Sequence, residues 1–265
     1  AGTGGFGIKS DSMASYSPYL QNVTTIFMML FGVNFSCYYL LLTRHFLNVW
    51  RDEELKAYLG VFLASTALIT WNILHLYSSV QESLRHAAFQ VATVMTTTGF
   101  ATTDFDQWPS FSKGLLLCLM FVGASAGSTG GGLKFQRLLL LLKNLRRHVH
   151  QTLYPNKVQI VRMNGQRVNE KVLNDTNLYL IGYALIVVFS FILISIDNFS
   201  ITTNFSAVVA CFNNIGPGFD VVGPIGNFAG YSAFSKLVLI FDMLAGRLEI
   251  LPMLGLISFS TWKRK

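Results

Sequence analysis

Long apolar runs broken by short glycine-bearing loops set the rhythm of this chain. Residues 24–42, 58–77 and 177–196 are nearly continuous apolar runs of about 20 residues. That length crosses a hydrocarbon core of roughly 30 Å, so each predicts a membrane-spanning helix. Residues 232–262 form a further run, and one from 114 to about 145 is interrupted by Gly123-Ala-Ser-Ala-Gly-Ser-Thr-Gly-Gly-Gly132. Glycine inside a helix costs about 1 kcal/mol. The interruption therefore predicts irregular backbone at membrane depth, tolerated only inside protein or beside a water-filled cavity. Residues 83–96 and 203–212 are too short to span; 14 residues reach roughly 21 Å at 1.5 Å per residue. Each runs straight into a glycine loop and predicts a re-entrant half-helix. Residues 146–175 are a basic linker, in which Asn164-Gly165 marks a hairpin turn between 158–162 and 167–169.

The glycine loops recur. Thr3-Gly4-Gly5-Phe6-Gly7, Thr97-Thr98-Gly99-Phe100-Ala101 and Asn214-Ile215-Gly216-Pro217-Gly218 share the pattern polar-x-Gly-(Phe/Pro)-(Gly/Ala). An aspartate follows each (Asp11, Asp104, Asp220), and then a segment carrying Met-x-x-Gly: Met29 to Gly32, Met120 to Gly123, Met243 to Gly246. The glycine-to-methionine intervals, Gly5 to Met29, Gly99 to Met120 and Gly216 to Met243, are 24, 21 and 27 residues. Three matches in order indicate duplicated units. They divide the chain into a loop and second helix at 1–56, a complete unit at 57–145, the linker at 146–175 and a second complete unit at 176–265. The first unit has no half-helix before its loop, which reads as part of a longer protein.

Composition agrees with lipid as the solvent. Charged residues are 12% of the chain and mean hydropathy is +0.46, against about 25% charged residues in soluble domains. The net charge of +7 could suggest nucleic acid, but its placement does not. If each span after a glycine loop runs inward, 15 of the 20 Lys and Arg fall on one side: Arg44, Arg51, Lys56, Lys134, Arg137, Lys143, Arg146, Arg147, Lys157, Arg162, Arg167, Lys171, Lys263, Arg264 and Lys265. Such a bias marks the cytoplasmic side and leaves the glycine loops toward the outside. The three cysteines, Cys37, Cys118 and Cys211, have no metal or redox spacing and read as small apolar packers.

Two decoy motifs fail on context. Gly2, Gly4 and Gly7 match GxGxxG without a preceding strand, and Gly127-x4-Gly132 is followed by Leu133-Lys134 where a P-loop needs Lys-Ser/Thr. No nucleophile–base set emerges and the five histidines form no facing pair, so an enzyme is not expected.

A half-helix, an extended Thr-x-Gly-aromatic-Gly segment and a second helix make the unit with which potassium channels select ions. Backbone carbonyls there replace the hydration shell of the ion, and glycine lets them converge by visiting φ > 0. The half-helix aims the negative end of its dipole at the site. Arg247 adds a charge deep in the last run, 11 residues past Lys236 and 16 before Lys263, or roughly 16 and 24 Å along a helix. A cation so far from either end faces protein or a water-filled path. Asp242 and Glu249 are its nearest carboxylates in sequence; residues two apart do not share a helix face, so no partner follows from spacing.

These loops, their order and the intervening spans resemble the Trk/Ktr/HKT superfamily of potassium transporters over the whole chain, most closely the TrkH family of bacterial Trk pore subunits. The resemblance implies an all-α polytopic membrane protein of tandem helix–pore-loop–helix repeats in the bacterial inner membrane. This chain would hold the later part of it, from the repeat-two filter onward. It implies a K⁺-selective filter (Rb⁺ as surrogate) at Thr3, Gly4, Gly5, Thr97, Thr98, Gly99, Asn214, Ile215 and Gly216. Gating would fall to an intramembrane loop with Gly123, Gly127, Ser128, Thr129, Gly130, Gly131 and Gly132, and to Arg247. The implied partners are membrane lipid, a second copy of the pore subunit and a cytosolic ring of nucleotide-binding regulatory subunits of the TrkA type, with no organic cofactor and no nucleic acid. The fourth loop departs from the family pattern at Asn214, Ile215 and Pro217. A sodium-dependent Ktr-type pore and a non-conducting membrane scaffold on the same fold are the alternatives.

Overall fold

Broken helices alternate with half-helices along the chain. The computed structural model describes residues 5, 7–9, 11–156, 159–248, 250 and 253. Helices α1 (Pro18–Gly32) and α2 (Phe35–Leu42) come first, then the short α3 (Phe46–Arg51), α4 (Glu53–Ile73) and α5 (Val80–Met95). Helices α6 (Ser110–Met120) and α7 (Phe135–Leu153) flank the glycine-rich segment. Strands β1 (Arg162–Met163) and β2 (Gln166–Arg167) pair antiparallel. Helices α8 (Glu170–Ile194), α9 (Ile201–Phe212) and α10 (Ala233–Leu248) follow.

The sequence accounts for most starts. Ser17, Asn34, Asp52, Ser79, Asn169 and Ser200 each accept a backbone N–H of the helix they precede, the role for which short polar side chains are favoured at N-caps. The hairpin turns at Asn164 and Gly165, both at positive φ, as a two-residue primed turn requires. Its strands have two residues each, shorter than the sequence suggested, and a Val168 N–H to Val161 O bond at 3.0 Å carries the pairing one step further.

Helix α4 with its 3-10 extension (Glu53–Leu76) and α8 with its own (Glu170–Asp197) are each long and apolar enough to cross a membrane, at mean hydropathies of 1.6 and 2.5. Leu178, Ile181, Leu185, Val188 and Ile192 along α8 are exposed, a surface that lipid rather than water would cover. The half-helices behave oppositely. Every residue of α5 from Phe89 to Met95 and of α9 from Ser206 to Phe212 is buried, so both sit inside the protein core. Helices α4, α5 and α6 pack together as α8, α9 and α10 do, so the helix–half-helix–helix unit occurs twice.

One predicted span is not continuous. Residues 24–42 form two helices bent by 89° at Val33-Asn34. Val33 turns extended with ψ at 149°, and the Asn34 side chain caps α2 by accepting the Ser36 N–H at 2.9 Å. The backbone groups freed at the bend pair with the glycine-rich segment: Ser125 N–H donates to Gly32 O at 3.0 Å and Phe35 N–H to Gly127 O at 3.2 Å.

Candidate functional site: three glycine loops above a tethered intramembrane loop

The two half-helices end alike. Thr97 and Asn214 take left-handed φ values of 52° and 57°. Thr98 N–H returns to Thr93 O and Thr97 N–H to Val94 O; Ile215 N–H returns to Ala210 O and Asn214 N–H to Cys211 O. Each pair is the 6→1 and 5→2 set of a Schellman ending. A β-branched residue at φ > 0, as at Thr97, is strained and is found where surrounding structure over-determines the backbone.

Beyond these endings the loops meet. Gly5, Gly99 and Gly216 have φ of 62°, 87° and 113°. A Cβ on Gly5 would collide with Thr98 O, one on Gly99 with Ile215 O, and one on Gly216 would stand 3.5 Å from the Gly99 Cα. The three pattern glycines thus lie edge to edge, although the sequence separates them by more than two hundred residues at the widest. Thr96, Thr97 and Thr98 are buried, with Thr96 and Thr98 hydroxyls 2.7 Å apart. Thr3 and Gly4 lie outside the described residues.

The outer flanks are tied as well. Ala101 O accepts from Met13 N–H at 2.9 Å, and Ala101 N–H donates to Ser12 Oγ at 3.1 Å. Asp106 Oδ2 accepts the Asp220 N–H at 3.2 Å, and Asp220 accepts the Ser200 hydroxyl at 2.8 Å and the Thr203 hydroxyl. Those hydroxyls, Thr203 first, hold the Asp220 carboxyl below its ordinary range. Asp104 caps the next turn through Asp106 N–H. The outer aspartates Asp104, Asp106 and Asp220 each serve local structure.

Beneath the loops lies the glycine-rich segment between α6 and α7. Its neck closes through Gly123 N–H to Leu133 O at 2.8 Å and Phe135 N–H to Ala124 O at 3.1 Å. Gly131 N–H donates to Thr97 Oγ at 2.7 Å, and a Cβ on Gly131 would reach within 3.0 Å of Asn213 O and Asn214 Cβ. Gly132 packs on Asn213, and Gly130 on Ala124 and Thr96. Gly127 stands over Asn34. Ser128 donates to Ser125 O at 2.6 Å, while the Thr129 hydroxyl reaches across to Phe31 O at 3.3 Å.

Arg247 reaches the same segment from α10: its guanidinium donates to Thr129 O at 2.9 Å, the partner that sequence spacing could not name. It borders two cavities. One of about 670 Å³ is shared with Thr97, Asn214, Ile215 and Gly216; the other, about 200 Å³, with Ser128, Gly130, Gly131 and Lys134. Arg247 therefore stands between the filter-like loops and the tethered segment. Gly246 beside it permits the approach, since a Cβ there would fall on Phe212 O.

Sequence reasoning missed Glu54. It is the second residue of α4 and is buried, and one oxygen accepts both Ala126 N–H at 2.7 Å and Gln136 N–H at 3.1 Å. Beginning the second span at residue 58 left it outside the apolar run; a carboxylate four residues upstream of that run was the signal.

Comparison with known proteins places this geometry. The TrkH family, described as cation transport protein, matches residues 2–261. The chain is 36% identical over 267 residues to the Trk system potassium uptake protein TrkH of Salmonella typhimurium, and 36% identical over 268 residues to that of Escherichia coli. Each alignment takes in 98% of this chain and 54% of the relative, so the chain spans about half the length of these proteins. The crystal structure of the potassium transporter TrkH from Vibrio parahaemolyticus superposes with a TM-score of 0.88 at 31% identity, over 99% of this chain and 57% of that one. The fold is that of an all-α membrane transporter, and the chain belongs to the TrkH family of cation transport proteins.

Proposed function

We propose that this chain is the ion-selecting and gating part of a potassium-uptake subunit of the bacterial inner membrane. One observation carries the reading: Gly5, Gly99 and Gly216 meet directly above a glycine-rich segment held by Thr97 and Arg247. Backbone carbonyls of Thr3, Gly4, Gly5, Thr97, Thr98, Gly99, Asn214, Ile215 and Gly216 replace water around K⁺, with Rb⁺ as surrogate. Helices α5 and α9 end at these loops and direct the negative ends of their dipoles toward the ion.

Gly123 to Gly132 and Arg247 form the gate. With the segment tied in place, the guanidinium repels cations that have passed the filter; release of the segment carries the obstruction away. The functional divisions are 1–56, 57–145, 146–175 and 176–265, a filter loop with its second helix, a complete repeat, a cytoplasmic linker and a second complete repeat. A homodimer of pore subunits and a cytosolic TrkA-type ring are the assemblies the family implies, met through the basic linker.

The test is rubidium and sodium uptake into liposomes containing the full-length protein. Rubidium uptake blocked by excess potassium but not by excess sodium supports the reading. Uptake that requires sodium points to a Ktr-type transporter instead. The departures in the fourth loop favour a scaffold as the second reading, and that is the outcome if neither ion moves even with Arg247→Ala.

A further inference from the structure

The intramembrane segment is gripped by two opposite charges on opposite kinds of backbone group. Arg247 takes a carbonyl, Thr129 O. Glu54 takes two amides, Ala126 N–H and Gln136 N–H, through a single oxygen. Gln136 is the second residue of α7, whose preceding residue Lys134 supplies no side-chain cap. The Glu54 carboxylate therefore caps a helix start, where negative charge is favoured, and pins the near arm of the segment to that start. Asn34, which caps α2 at the 89° bend, packs against the same segment at Gly127. One buried group, Glu54, thus joins α4, the segment and α7. Its reach across the neck is what makes it more than a helix cap: Ala126 cannot leave while Gln136 keeps its place without one bond being lost.

We infer that Glu54 is a positioning residue that latches the intramembrane segment in its closed arrangement, the counterpart of Arg247 on the other side. This rests on the gating role proposed above for that segment. Losing the latch frees Ala126 N–H and Gln136 N–H, while the neck bonds at Gly123 and Ala124 still hold the segment's base. The closed arrangement becomes less populated without the loop being unfolded.

The experiment compares Glu54→Gln, Glu54→Ala, Arg247→Ala and the Glu54→Gln/Arg247→Ala double variant in the full-length protein. Two readouts are taken: basal rubidium uptake in liposomes, and the thiol-labelling rate of Ser128→Cys with Cys37, Cys118 and Cys211 replaced by alanine. Glutamine keeps an acceptor oxygen and loses the charge, so uptake should rise roughly fivefold, about the margin of a charged over a neutral hydrogen bond. Alanine should exceed that, and labelling at Ser128→Cys should accelerate in both. The double variant should rise by less than the product of the single effects, because both groups hold one element.

If Arg247→Ala opens the pore while both Glu54 variants keep wild-type uptake and labelling in the folded, monodisperse fraction, the latch is overturned and the gate survives. A lowered melting temperature with those two readouts unchanged also overturns it, leaving Glu54 a structural carboxylate. If neither Arg247→Ala nor any Glu54 variant changes uptake, the gating reading itself has failed.

Discussion

The Thr97 hydroxyl accepts a 2.7 Å hydrogen bond from the backbone N–H of Gly131. Thr97 opens one of the converging glycine loops, and Gly131 belongs to the segment beneath them. A single side chain thereby ties the region proposed to select ions to the region proposed to admit them. Thr97→Val keeps the shape and removes the acceptor, leaving a buried amide unpaired at a cost of about 1–3 kcal/mol. The expected outcome is higher basal rubidium uptake with a reduced preference for rubidium over sodium, measured in the same liposomes.

Arg247 combines a charge with a reach to Thr129 O, and two substitutions separate them. Arg247→Ala removes both and should give the faster cation flux. Arg247→Lys keeps a point charge without the planar fork, so its flux should fall between alanine and wild type. Equal flux in all three proteins would take this residue out of the gate.

Gly99 sits at φ 87° with its Cβ direction closed by Ile215 O. Gly99→Ala combines a disfavoured backbone conformation with a backbone collision. We expect lost potassium preference before lost fold, read as a fall in the ability of potassium over sodium to block rubidium uptake.

Gly246 and Gly114 give an internal contrast on helices. A Cβ at Gly246 would fall on Phe212 O, whereas one at Gly114 meets nothing within 4 Å. Gly246→Ala should destabilise by about 1–3 kcal/mol through overpacking. Gly114→Ala should be neutral or stabilising by about 0.5–1 kcal/mol, as glycine gives way to a better helix former. Melting temperatures in one detergent decide between them.

Asp220 offers a pH test outside the spans. Its carboxyl is held low by the Thr203 and Ser200 hydroxyls. A depressed folded-state pKa contributes stability that is present above the unfolded value, about 3.9, and is lost as pH falls through the folded value. The stability advantage of wild type over Asp220→Asn should therefore hold at neutral pH and shrink below about pH 4. An advantage that does not change with pH would assign it to shape alone.

Local signals were enough for the repeated unit. The lengths of the half-helices, the glycine loops behind them and the break after Met120 all follow from short-range causes: periodicity, helix length against membrane thickness, and the backbone cost of glycine. Even the hairpin was legible, because Asn164-Gly165 supplies its own turn geometry. The close approach at Gly246 is marked in sequence only as a recurring glycine; what it approaches is not.

Tertiary structure decided the rest, because the partners are far apart along the chain. Nothing in residues 24–42 announces an 89° bend; it persists because backbone groups of the segment around Gly127 take up those freed at Gly32 and Phe35. Arg247 finds its carbonyl 118 residues away, and Glu54 its amides 72 and 82 residues away. By itself the sequence determined that the backbone from Gly123 to Gly132 would be irregular and that Arg247 would stand deep in a span. Which irregular backbone each charge would hold depended on packing, since a buried polar group in lipid must find its partner wherever the fold brings one.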